Sequence, residues 1–107
     1  MSFDHEAFWS ARYRDAGEGY LFGTAPNKFL AAQARLFGAD MRVLSVADGE
    51  GRNAVWLAEQ GCRVTATEIS LVALEKAAKL AKGRHVTVDW LQADILNWEW
   101  PVDAYDA

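Results

Sequence analysis

The sequence predicts an α/β fold, a parallel sheet with helices on both faces preceded by two N-terminal helices, and three observations carry the prediction. From residue 42 onward, short apolar or β-branched runs alternate with segments of helical period. The stretch VLSVADGEGRNAVWLA, residues 43–58, compresses a strand, a glycine-bearing turn and a helix start into one short segment. Parallel neighbours also need long connections, and the helical segments between the strands supply them.

The elements follow in order. Residues 1–16 carry Phe3, Ala7, Phe8, Ala11 and Arg12 at helical spacing with Asp4 as N-cap, which predicts a short amphipathic helix ended by Gly17 and Gly19. The segment GYLFGTAP, residues 19–26, has neither period and reads as an ordered loop. A second helix is expected from about Asn27 to Phe37, with Phe29, Leu30, Gln33, Leu36 and Phe37 inward and Gly38 closing it. Strands are expected at Arg42–Ala47, Arg63–Thr67 and Val86–Leu91, and helices at about Asn53–Gln60 and Leu71–Lys82. Gly61 stops the first of these helices, Ser70 caps the second and Gly83 ends it. Trp56, Trp90, Trp98 and Trp100 read as core aromatics.

No internal repeat or Pro/Ser-rich linker divides residues 1–107, which therefore read as a single domain. The end, PVDAYDA, reads as the start of a fourth strand, so the chain resembles the front half of a domain. An open sheet stopped there is expected to leave the first strand unpaired on one side and prone to self-association.

The glycine turn is where chemistry is expected. Gly49 and Gly51 put no Cβ between backbone and ligand, and the helix that follows aims free N–H groups and its positive dipole end at the turn. Carboxylates and phosphates bind at such a corner. Glu68 ends the second strand, 19 residues after Gly49, where an acid accepts hydrogen bonds from ribose hydroxyls. Such an acid is expected to contribute little to the core. Asp94 holds the equivalent place after the third strand, either as a contact to a nucleoside base or as a turn-forming acid before Ile95.

Composition narrows the partners. The 107 residues are 51% hydrophobic and 24% charged with a formal net charge of -4, which fits an ordinary globular domain and offers no basic footprint for nucleic acid or anionic membrane. The single cysteine, Cys62, makes no internal disulfide and reads as a reduced buried thiol. MSFDHEAFW lacks the basic start and apolar core of a signal peptide, and no apolar run approaches the roughly 20 residues of a membrane span, so a cytoplasmic setting is expected. His5 and His85 have no partners at ligand spacing, and no metal is expected.

Gly49, Gly51 and Ala54 satisfy the dinucleotide pattern G-x-G-x-x-A, but adenine nucleosides without a pyrophosphate use the same corner. The residues alone thus leave two readings open, one of them a nicotinamide-dinucleotide-binding domain of an oxidoreductase. A third is a non-catalytic half-domain that pairs with another chain.

The string GEGRNAVWLAEQG, followed by VTATEIS, QADI and YDA, resembles the consecutive cofactor-binding motifs of class I S-adenosylmethionine-dependent methyltransferases. It is especially similar to the branch containing tellurite-resistance and thiopurine-type enzymes, whose preface WSARYRDAGEGYLFGTAPNKFL resembles. The resemblance implies a Rossmann-like fold, S-adenosyl-L-methionine as cofactor, and a small-molecule methyl acceptor held by segments after the fourth strand. By position it puts Ala47, Gly49 and Gly51 against the methionine end of the cofactor, with Arg52 and Asn53 opening the helix beneath. Glu68 would hold the ribose hydroxyls, Ile69 would pack on the adenine, and Asp94 with Ile95 would receive its edge. It also implies a lid formed by the segment of Trp9, Tyr13, Tyr20 and Phe22, whose aromatic faces attract a sulfonium cation. The family usually has an acid where Ser45 stands and a glycine where Ala47 stands, and Asp48 is the nearest carboxylate to make up the missing charge. No catalytic base is assigned.

Overall fold

The computed structural model describes residues 3–107. Helix α1 (His5–Asp15) begins at Asp4, whose side chain accepts a hydrogen bond from Ala7 N. Met1 and Ser2, part of the expected first helix, lie outside the described residues. The buried face of α1 differs from the apolar stripe read in the sequence. Ser10 and Tyr13 are buried whereas Phe3 and Phe8 are exposed. Ser10 Oγ meets Ser70 Oγ at 2.7 Å, so a polar contact and a tyrosine, rather than an apolar stripe, dock this helix.

The expected second helix divides. Helix α2 (Lys28–Ala32), capped by Asn27, stops at Gln33, and a single 3₁₀ turn (Ala34–Leu36) follows. The break rotates the inward set: Leu30 and Phe37 pack against the core, but Phe29 is 77% exposed and Leu36 56% exposed.

The remaining elements are β1 (Arg42–Ser45), α3 (Arg52–Glu59), β2 (Arg63–Glu68), α4 (Leu71–Gly83) and β3 (Asp89–Gln92). The three strands form a parallel sheet in the order β1-β2-β3, with Val43 opposite Val64 and Ala66 opposite Trp90. Each expected strand is present with shifted ends. The first stops at Ser45 because the chain turns left-handed at Ala47 (φ 50°), and the third begins only at Asp89, after a reversal through His85 (φ 58°). That reversal also lets α4 run through Gly83, so this glycine is its last residue rather than its terminator.

The core lies between the sheet and its helices and is built from small and branched residues: Val43, Ala54, Leu57, Val64, Ala66 and Val88. Small residues let α3 and α4 sit close to the strands and to each other. Cys62 is a free buried thiol just before β2, and burial raises its pKa. Of the four tryptophans expected inside, Trp56 and Trp90 pack partly against the core. Trp98 and Trp100 instead pair with each other at 5.2 Å in the 93–107 segment, where Trp100 is 48% exposed and donates to Ile95 O.

Beyond β1, on the side away from β2, Asp106 N donates to Arg42 O at 2.7 Å and Leu44 N to Ala107 O at 2.9 Å. The Arg42 guanidinium also pairs with Asp106 at 3.2 Å. The edge expected to stand bare is thus already engaged by the last residues. Among the described residues no helix is long and apolar enough to cross a membrane.

Candidate functional site

The parallel sheet brings the ends of three strands together, and the candidate residues lie in the segments that leave those ends. The turn after β1 is held from below. Glu68, only 5% exposed at the end of β2, accepts from Gly49 N through Oε1 and from Ser70 N through Oε2, both at 3.0 Å. This corrects the expectation that Glu68 stands outside the core. It fastens the glycine turn to the start of α4.

The two glycines serve different ends. Gly49 (φ 69°) lines a cavity, and a Cβ there would lie 3.0 Å from the Tyr13 hydroxyl. Gly51 (φ 94°) faces inward, where a Cβ would meet Ala77 Cβ at 2.8 Å and the Trp90 ring at 3.2 Å. Close helix packing and left-handed backbone require glycine at position 51. It borders neither of the two cavities at the strand ends.

Asp48 is buried beside the turn. Its Oδ1 accepts from Ser45 Oγ at 2.5 Å and from Ala54 N at 3.2 Å, while Oδ2 is buried without a hydrogen-bond partner. Burial is the main cause that pushes its pKa up to about 6, with the Glu68 charge adding and the bonds from Ser45 and Ala54 opposing. Ser45, where the resemblance led to an acid, thus donates to a carboxylate three residues on.

Two cavities open at the strand ends. The larger, about 390 Å³, has Ala47, Glu68, Ile69, Asp94 and Ile95 on the sheet side and His5, Trp9, Tyr13 and Phe22 on the N-terminal side. Its volume falls in the range of roughly 300–1,000 Å³ typical of small-molecule sites. The smaller, about 190 Å³, includes Asp48, Gly49, Glu50, Arg52 and Asn53. Tyr13, Phe22 and Ala47 border both, which places them at the junction. Of the residues that the resemblance sets against the cofactor (Ala47, Gly49, Gly51, Arg52, Asn53, Glu68, Ile69, Asp94 and Ile95), all but Gly51 therefore border one cavity or the other.

Asp94 combines the two roles weighed for it. Its Oδ1 accepts from Leu96 N at 3.0 Å and Oδ2 from the Asn97 amide at 3.1 Å, which shapes the turn, and the residue also borders the larger cavity. Tyr13 is pushed up to about 12, first by burial and then by the charges of Glu68, Glu50 and Asp48, so its phenol stays a donor amid acids. Among the aromatics of the N-terminal segment, Tyr20 does not border these cavities and donates instead to Lys76 O at 3.2 Å.

Sequence reading passed over Glu50 and Lys76, which form an ion pair at 2.9 Å beside the turn. The available signal was a carboxylate set between two glycines. Its partner lies on α4, beyond the reach of local spacing. Among the described residues no three of His, Cys, Asp or Glu cluster as metal ligands would.

Comparison with known proteins places this geometry in context. Residues 43–107 match the sequence family described as methyltransferase domain. No curated protein matches the chain in sequence. Among solved structures it is similar to the protein solved for conversion of a disulfide bond into a thioacetal group during echinomycin biosynthesis, at 26% identity and TM-score 0.73, covering 87% of this chain and 41% of that one. A TehB-like SAM-dependent methyltransferase from Corynebacterium glutamicum aligns at 17% identity and TM-score 0.65, covering 95% and 52%. A SAM-dependent methyltransferase from Thiobacillus denitrificans, solved with S-adenosyl-L-homocysteine, aligns at 19% and TM-score 0.64, covering 92% and 40%. The chain thus spans between two fifths and about half of these proteins.

Proposed function

The chain belongs to the methyltransferase domain family, and on that premise we propose that it binds S-adenosyl-L-methionine across its two joined cavities as the cofactor-binding part of a methyltransferase. The observation that carries this reading is the pair of cavities meeting at Tyr13, Phe22 and Ala47. The adenosine end fits the larger, where Ile69 and Ile95 offer apolar faces, and the amino-acid end fits the smaller, beside the turn. The family match favours this over the nicotinamide alternative.

The cofactor supplies a methyl group on a sulfonium. The protein's part is binding, orientation and exclusion of water. Glu68 Oε1 and Oε2 each keep a lone pair beyond their backbone bonds, so the carboxylate accepts from ribose hydroxyls without releasing the turn. Asp94 accepts in the same way from the adenine amine. Asp48, set by Ser45, supplies the negative charge for the ammonium group that the family otherwise places at position 45. Tyr13 and Phe22 present aromatic faces to the sulfonium at the junction.

A small-molecule acceptor fits the acidic charge of the chain and the half-open, largely apolar site. The test is calorimetric titration of the chain with S-adenosylhomocysteine and with NAD. Binding of the first and not the second is expected, and the opposite pattern contradicts the reading. Residues 1–107 are read as one cofactor-binding domain. A single unfolding transition, shifted upward by S-adenosylhomocysteine, is the expected behaviour.

A further inference from the structure

Glu50 and Lys76 are the only oppositely charged pair among the described residues whose side chains are both nearly buried, at 3% and 13% exposed. Burying two charges is costly, and their mutual attraction repays it only when further hydrogen bonds engage them. Lys76 Nζ lies 2.9 Å from Glu50 Oε2, off the hydrogen-bond direction, and donates to Tyr13 O at 2.5 Å and Gly19 O at 2.9 Å. Glu50 Oε1 accepts from Leu21 N at 2.7 Å, and Tyr20 Oη donates to Lys76 O at 3.2 Å.

Each of these four hydrogen bonds joins the pair to residues 13–21, on the N-terminal segment. At the two ends of the clamped stretch stand Tyr13 and Phe22, the aromatics that border both cavities. Glu50 itself lies in the turn, between Gly49 and Gly51, so the group that holds the segment is part of the backbone against which a ligand would rest.

We infer that Glu50 and Lys76 form a latch that seats residues 13–22 over the two cavities, with Lys76 as a positioning residue that acts on the ligand through Tyr13 and Phe22. The ligand half of this inference rests on the function proposed above; the latch itself does not. Because turn and segment share the pair, occupation of the turn and seating of the segment reinforce each other.

Hydrogen exchange on the whole chain, with and without S-adenosylhomocysteine, separates the two halves. In Lys76→Met, amides of residues 13–22 exchange at least about tenfold faster than in the wild type while those of β1 and β2 keep their protection. S-adenosylhomocysteine binds about tenfold more weakly to this variant and no longer protects the segment. Glu50→Gln, which keeps an acceptor for Leu21 N, loosens the segment less. Tyr20→Phe removes one peripheral bond, and its smaller acceleration confined to the same residues decides the matter if Lys76→Met does not fold. Unchanged exchange at 13–22 in both Lys76→Met and Tyr20→Phe overturns the latch, as does acceleration of segment and sheet together. A wild-type chain that fails to bind S-adenosylhomocysteine counts against the proposed function, while the exchange of the unliganded variants still decides the latch.

Discussion

The N-terminal segment and the strand-helix unit from Arg42 to Gln92 are held by different forces. In the second, Ala54, Ala66, Ala73 and Ala77 are completely buried and the strands share a continuous parallel ladder. In the first, Phe8, Phe22 and Phe29 stay exposed; Leu30 and Phe37 still pack on the core, but residues 5–22 attach largely through polar groups, Ser10 to Ser70 and Lys76 to Tyr13 and Gly19. Close packing holds the strand-helix unit together. Directional bonds around two buried charges hold part of the other over the same site.

The largest test of that contrast strikes the packed region. Gly51→Ala adds a Cβ 2.8 Å from Ala77 and forces alanine to φ 94°. Left-handed strain of about 1–2 kcal/mol and overpacking of about 1–3 kcal/mol should lower global stability by roughly 2–5 kcal/mol, read from denaturant unfolding. A loss below about 1 kcal/mol would show that α3 and α4 are not closely packed.

Glu68→Ala comes next. It strips two buried N–H groups of their acceptor, and at about 1–2 kcal/mol for each such group the expected loss is roughly 2–4 kcal/mol. Glu68→Gln, keeping one acceptor oxygen, should cost less, and comparing their unfolding midpoints checks the order.

Asp48 gives a pH signature inside the packed region. Its pKa is raised from an ordinary 3.8 to about 6, so the folded state keeps the proton longer than the unfolded chain. Its contribution is complete below about pH 4 and is lost as pH rises through about 6, a decline of order 2–3 kcal/mol. Asp48→Asn should flatten that decline in urea titrations at several pH values, and raise stability at pH 7 by about 1–2 kcal/mol. The same change should weaken S-adenosylhomocysteine binding. Phe29→Ser, in the N-terminal segment, is the smallest: stability should stay within about 0.5 kcal/mol, and a larger loss would mean that Phe29 is covered.

The contrast also marks what the sequence disclosed. Val43, Val64 and Ala66 announced the parallel sheet because burial on a strand imposes a local pattern, and Ser70 announced its helix because capping is local. The buried face of the first helix, Ser10 and Tyr13, is not the one periodicity predicts. Docking there depends on partners far along the chain, Ser70 for Ser10 and Lys76 for Tyr13, and periodicity carries no information about them. Glu68 was placed at the right strand end, but its hold on Gly49 and Ser70 follows from three-dimensional closure. At Ala47 the backbone is left-handed, φ 50°, which is the conformation that favours the glycine the resemblance implies there.

The most direct measurement of the central claim, a cofactor spanning two cavities joined under the N-terminal segment, is an amide-shift map of the chain titrated with S-adenosylhomocysteine. The account predicts concerted changes at Ala47, Gly49, Glu68, Ile69, Asp94 and Ile95, with Tyr13 and Phe22 moving in the same titration. Binding that leaves these residues unmoved and perturbs the groove beside β1, around Phe29, Leu36 and Val46, would contradict it.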